Sequence, residues 1–117
     1  MGTWGPGNFE NDAALDFVGD EIDRHVRAIY EVFADHQRFR LDEDAEGEVL
    51  PRIAILSFLC EHCGGILAKD VDAVAWKARY LEMYDGMIDE MAPDADYKEQ
   101  RRAVIVATFD KLIGLST

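Results

Sequence analysis

Two clusters of side chains in this sequence have types and spacings suited to chemistry. The first is Cys60-Glu61-His62-Cys63, followed by Gly64 and Gly65. Thiols three positions apart share one face of a helix, and zinc thiolate sites often use that spacing. A structural zinc site needs four ligands, however, and beyond the two cysteines only His25, His36 and His62 remain. In a continuous helix His62 points well away from Cys60, so local ligands converge only if the helix unwinds at Gly64. A redox role for the same spacing expects a βαβ setting, which is not legible here. Cys60, His62 and Cys63 are therefore the zinc candidates, against a plainer reading as buried or half-buried thiols at a helix end.

The second cluster is Asp12, Asp16, Asp20 and Asp23, at spacings of four, four and three. Such spacing puts all four on one helix face, where each like-charged pair costs roughly 0.2–0.5 kcal/mol. A cation or a basic protein would offset that repulsion. A solvated face is the stronger account of the row: Asp20 can pair with Arg24 and Asp23 with Arg27, while Asp12 and Asp16 suit the positive end of the helix dipole. A further acidic stretch, Asp42, Glu43, Asp44, Glu46 and Glu48, follows Arg40 and reads as an exposed connection. Paired carboxylates are abundant enough that acid–base chemistry is not excluded by counting. Nucleophilic catalysis has little to draw on, with Ser57 inside an apolar run, Ser116 at the tail and no nucleophile elbow.

The elements that must position these residues are helices. Apolar residues at Ala14, Leu15, Phe17, Val18, Ile22, Val26, Ile29, Tyr30 and Phe33 recur at three and four, predicting a helix over 11–35 capped by Asn11 or Asp12. Gly19 inside it suggests close packing. The run from Val49 to Cys63 is apolar on nearly all sides and predicts a central buried helix over 47–63, with Pro51 confined to its first turn and Gly64-Gly65 stopping it. A buried strand over 53–59 is the competing reading. A third helix over 71–91, capped by Asp70 or Asp72, carries two stripes. One is Val71, Val74, Ala78, Leu81, Tyr84 or Asp85, and Ile88; the other is Trp76, Tyr80, Met83 and Met87, a core stripe or else a partner groove. Pro93 ends it, and Asp94 or Asp96 caps a fourth helix over 95–113 with Tyr97, Val104, Ile105, Thr108, Phe109, Leu112 and Ile113 on its stripe. The fold class expected is all-α, one domain over 1–117, a bundle of about four helices.

Length and composition agree with that. A chain of 117 residues, 49% hydrophobic, has enough apolar surface for one core. Its net charge of -12, from 24 acidic and 12 basic residues, makes direct nucleic-acid binding unfavourable and a basic protein the natural complement. No apolar run of membrane-spanning length and no leader pattern is present, Pro6 breaks the myristoylation pattern, and the two cysteines suit a reducing compartment, so a cytoplasmic location without membrane attachment is expected.

The opening "MGTWGPGNFENDAALDF" has Gly5-x-Gly7 but neither the preceding strand nor the third glycine of a dinucleotide loop. Trp4 and Phe9 flank the turn as anchors would, so residues 1–10 are expected to form a clip pinning the N-terminus to the core. This opening resembles that of a family of small bacterial proteins catalogued as domain of unknown function 4259, in which Met-Gly-x-Trp-Gly-x-Gly-x-Phe-(Asp/Glu)-Asn-Asp-x-Ala-x-Asp is typical. Trp4, Gly5, Gly7, Phe9, Glu10, Asn11, Asp12, Ala14 and Asp16 carry the match; Pro51 and the bulky residues after it depart from the Ala-rich helix usual there. The resemblance implies a small bacterial cytoplasmic protein with a helical domain, and brings no catalytic residues.

The function expected from these features is a non-enzymatic protein-interaction module of immunity or antitoxin type, without a cofactor. Asp12, Asp16, Asp20 and the stretch Asp42, Glu43, Asp44, Glu46 and Glu48 would meet the partner. The alternatives are a metal-binding protein or metal-dependent hydrolase, using helix carboxylates with His25 or the Cys60, His62, Cys63 cluster, and a self-assembling protein.

Overall fold

The computed structural model describes residues 2–116. Helix α1 spans Asp12–Ala34. Asn11 caps it, its Oδ1 accepting from the Ala14 N–H at 2.8 Å, so one of the free first-turn donors is satisfied. At the other end Arg79 donates to the Phe33 carbonyl and lies over the Phe33 and Phe39 rings, 5.2 and 5.3 Å from their centroids. The buried stripe of α1 is Val18, Ile22, His25, Ile29, Val32 and Phe33. Phe17 and Tyr30, expected on the apolar stripe, are exposed. Each is adjacent in sequence to a residue that takes the core position, and neighbours on a helix diverge by about 100°.

After Ala34 the chain turns through Phe39 and Leu41 into a single π-type turn, Ala45–Val49, which runs into α2, Leu50–His62. Pro51 has no N–H for the carbonyl of Gly47, and its ring crowds that carbonyl; the backbone widens just before it. α2 lies between α1 and α4. It is therefore not buried on all sides as its composition suggests: Leu50, Ile53, Leu56 and Ser57 face inward, while Ile55 and Phe58 lie open. Gly64 stops the helix in the left-handed region at φ 73°, and the N–H groups of Cys63 and Gly65 both donate to the Leu59 carbonyl, at 3.1 and 3.0 Å.

Helix α3, Ala73–Met87, is capped by Asp72, whose Oδ1 accepts from the Ala75 N–H at 3.0 Å. A 3-10 turn, Ile88–Met91, extends it, and Ala92 closes the turn with a left-handed φ of 49° before Pro93. Its core face is Ala73, Trp76, Tyr80, Tyr84 and Ile88, which combines members of both expected stripes and leaves Val74 outside. Trp76 meets Tyr30 and Phe33 of α1, and Tyr80 meets Phe109 of α4, so Trp76 and Tyr80 belong to the core. Helix α4, Ala95–Leu115, follows Asp94, which makes no side-chain cap bond, and buries Ile105, Phe109 and Leu112 while Tyr97 and Val104 face outward.

The result is a small all-α bundle with no strand among the described residues. α1 and α2 are antiparallel: Arg52 meets His25, and Gly64 lies against Leu15. α3 and α4 are also antiparallel, tied by Lys77 to Asp110 at 2.7 Å and Arg102 to Asp85 at 2.9 Å. α2 and α4 run side by side in the same direction, with Glu46–Arg101 at the starting end (3.0 Å) and Glu61–Lys111 at the finishing end (2.8 Å). The molecule is elongated, 57 × 28 × 21 Å. No helix among the described residues is long and apolar enough to cross a membrane.

The opening segment differs from the expected clip. Thr3 and Asn11 form an isolated antiparallel bridge, the Trp4 N–H donates to the Glu10 carbonyl at 3.0 Å and the Asp12 N–H to the Gly2 carbonyl at 2.6 Å. The loop thus closes on itself through backbone bonds at the start of α1. Trp4 and Phe9 are 58% and 38% exposed and do not anchor in the core. Met1, the first residue of the expected clip, lies outside the described residues.

Candidate functional site

The acidic residues singled out by spacing separate into two groups. Asp12, Asp16, Asp20 and Asp23 stand on the solvent side of α1, all exposed. Among the described residues no ion pair reaches any of them; Arg24 turns to Glu21 at 2.6 Å instead of Asp20, and Arg27 does not bridge to Asp23. At a rise of 1.5 Å per residue the row runs for about 16 Å, twice the Debye length of about 8 Å in physiological salt. It presents a row of carboxylates that make no ion pair among the described residues, with Arg27 exposed at its far end.

The second group is largely spent internally. Arg38 donates to Asp44 at 2.6 Å and to Glu48 at 3.0 Å. Arg52 adds two bonds to Glu48, at 3.2 and 3.0 Å. Glu46 points the other way and accepts from Arg101 of α4 at 3.0 Å. Glu46 and Glu48 are two positions apart on the turn Ala45–Val49 and so face opposite sides of it. Asp42 and Glu43 stay exposed, Asp42 with Arg40 at 3.4 Å.

Arg52 also donates to Nδ1 of His25 at 2.8 Å. That bond requires Nδ1 to be an acceptor, so His25 is neutral with its proton on Nε2. Burial pushes its pKa down, and the charges of Arg52 and Arg24 push the same way against Glu21. The unfolded state therefore takes up a proton near pH 6.5 that the folded state refuses. The stability contributed is complete above about pH 6.5 and is lost as pH falls below it. Urea unfolding at steps from about pH 7 to about pH 5 is expected to show falling stability, with a flatter profile in His25→Gln; an unchanged slope in that variant would place the effect elsewhere. Glu21, Glu61 and Asp85, held down by hydrogen bonds from Arg24, Lys111 and Arg102, lose their contribution only at lower pH, below about 4.5.

The cysteine cluster does not gather. Cys63 is buried, Cys60 is half-buried, and both are free thiols. His62 is exposed with its ring 4.8 Å from that of Phe58. Among the described residues no group of three or more His, Cys, Asp or Glu side chains is placed to hold a metal ion, His25 and the α1 carboxylates included. Burial raises the Cys60 pKa, the opposite of an activated thiolate.

Sequence reasoning did not find the concavity of about 270 Å³ between the π-type turn, the end of α3 and the start of α4. Leu41, Tyr84, Ile88 and Tyr97 line it, with Glu46 and Arg101 paired across it. The Tyr84 hydroxyl donates to the Lys98 carbonyl at 2.9 Å, and burial pushes its pKa up. Glu46, Arg101 and the Tyr84 hydroxyl are thus engaged with partners, and the lining is otherwise largely apolar, with Asp94 and Tyr97 at its α4 side.

A family model described as a domain of unknown function, DUF4259, matches residues 2–113. The chain belongs to the DUF4259 family. No curated protein and no solved structure matches it. The DUF4259 match takes in the opening loop, α1, the π-type turn, α2, α3 and nearly all of α4. In the opening segment of this DUF4259 chain Asn11 starts α1, and Gly2, Gly5 and Gly7 make room for the Asp12 and Glu10 side chains, which occupy the places a Cβ would take. Within this DUF4259 domain Arg38 and Arg101 are the residues that sequence reasoning missed. The only local signal available was Glu48 to Arg52, four apart on one helical path.

Proposed function

We propose that this DUF4259 protein is a non-enzymatic interaction module of immunity or antitoxin type, acting in the cytoplasm and docking a basic protein on the solvent face of α1. The observation that carries the reading is the row Asp12, Asp16, Asp20 and Asp23, exposed and without ion pairs in a protein that pairs Asp44, Glu46 and Glu48 with its own arginines. An effector that binds nucleic acid, such as a nuclease, has the matching surface, because its phosphate contacts are lysines and arginines. Covering that surface blocks the effector without chemistry on the part of this chain. Asp42 and Glu43, the exposed members of the second acidic group, are further candidates to meet the partner. Complementary charge accelerates association more than it deepens affinity.

The test is capture from a lysate of the source cells at low and high salt, with proteins identified by mass spectrometry, followed by binding kinetics of the captured partner with wild type and with Asp16→Lys/Asp20→Lys. A basic partner released at high salt is expected, with association slowed by about tenfold and a shallower salt dependence in the double variant. Failure to capture a basic protein at either salt, or unchanged kinetics in the variant, would overturn the proposal.

A further inference from the structure

The groove between α2 and α4 lies outside the acidic reading. Ala54, Ser57 and Phe58 form one wall and Val104, Ala107 and Thr108 the other, around about 360 Å³. Large apolar side chains of both walls stand open: Phe58 is 57% exposed and Val104 52%. The Thr108 hydroxyl is satisfied by the Val104 carbonyl at 2.7 Å. Ser57 is buried in the wall, and its hydroxyl has no hydrogen-bond partner, where buried polar groups nearly always have one.

The charge on this side is as distinctive as its shape. Residues 53–60 and 103–109 contain no charged side chain. The acid on the groove, Glu61, is held by Lys111 at 2.8 Å, and the neighbouring Asp110 by Lys77 at 2.7 Å. On a chain of net charge -12 this is a neutral face.

We propose that this face binds a second copy of the chain as an isologous dimer, Phe58 of each protomer entering the α2–α4 groove of the other. Two copies repel wherever their acidic surfaces meet, and the neutral face is where they approach without that cost. A basic partner finds no charge complement on this neutral face. Knob and groove belong to one patch, so the contact is self-complementary, as two-fold symmetry requires. A cavity of about 150 Å³ suffices for benzene, and the α2–α4 groove is more than twice that size. The dimer does not rest on the proposed basic partner.

Sedimentation velocity from micromolar to submillimolar protein tests it, on wild type, Phe58→Glu, Val104→Lys and, as a control for an added charge elsewhere, Trp4→Glu, with circular dichroism confirming that each is folded. Wild type and Trp4→Glu are expected to dimerise reversibly, and the two groove variants to weaken the dimer by about tenfold or more. Raising salt from about 0.05 M to about 0.5 M is expected to strengthen the dimer by screening like charges, opposite to its effect on a basic partner. A wild type that stays monomeric throughout, or a dimer indifferent to both groove variants, would overturn the proposal. So would a wild-type monomer whose groove instead holds another protein, lost on Phe58→Glu.

Discussion

Tyr80→Ala is expected to destabilise the protein by about 3–5 kcal/mol, while Tyr80→Phe costs only about 1 kcal/mol. Tyr80 is fully buried, with its ring 6.0 Å from that of Phe39 and 5.5 Å from that of Phe109, so truncation opens a cavity at the junction of three parts of the chain. The hydroxyl donates to the Ala45 carbonyl at 3.2 Å, and burial pushes the phenol pKa upward, so it remains a donor at any working pH. Phenylalanine keeps the packing and removes that one bond. Urea denaturation of both variants separates the two contributions; equal losses would mean that the hydrogen bond to the π-type turn outweighs the ring.

Gly65→Ala is expected to cost about 1–3 kcal/mol, the range for an added group in a packed interior. A Cβ there would lie 2.5 Å from Cδ1 of Ile22, which can rotate, and also 3.0 Å from the Leu59 carbonyl oxygen, which is backbone and cannot. That carbonyl already accepts from Gly65 itself, so relief would strain the stop of α2 and the α1–α2 contact together. Gly47→Ala, whose Cβ meets nothing within 4 Å, is the comparison that should be near neutral in the same thermal melts. A Gly65→Ala melt indistinguishable from wild type would show that the α2 terminus yields freely.

Local signals were the legible ones. Asn11 and Asp72 cap helices through bonds that span three residues, Gly64 stops α2 with its own backbone, and Pro51 constrains only its own turn. Face assignment was less legible, because an apolar residue does not state whether a neighbouring helix is present to cover it. Phe17, Ile55, Phe58 and Val104 look like core residues and stand open. For the candidate site the α1 row was readable from spacing alone, since all four aspartates lie on one helix. The inward turn of Glu46 was not: its partner Arg101 is 55 residues away, and the pairing follows from the parallel course of α2 and α4. Trp4 and Phe9 do not act as the expected anchors, because glycines free a loop to close on its own backbone without burying its aromatic flanks.

The seam between α2 and α4 also bears on the order in which the chain folds. α1 with α2, and α3 with α4, are antiparallel neighbours consecutive in the chain, joined through residues 35–49 and 88–94, and loop-closure cost grows only slowly with loop length. The parallel seam must wait for all of α3 to be placed, and its contacts are the more distant in sequence. Hairpin contacts formed ahead of the docking between the two pairs are the order that this topology favours. Substitutions along the seam would then act on the docking step and leave hairpin formation unchanged.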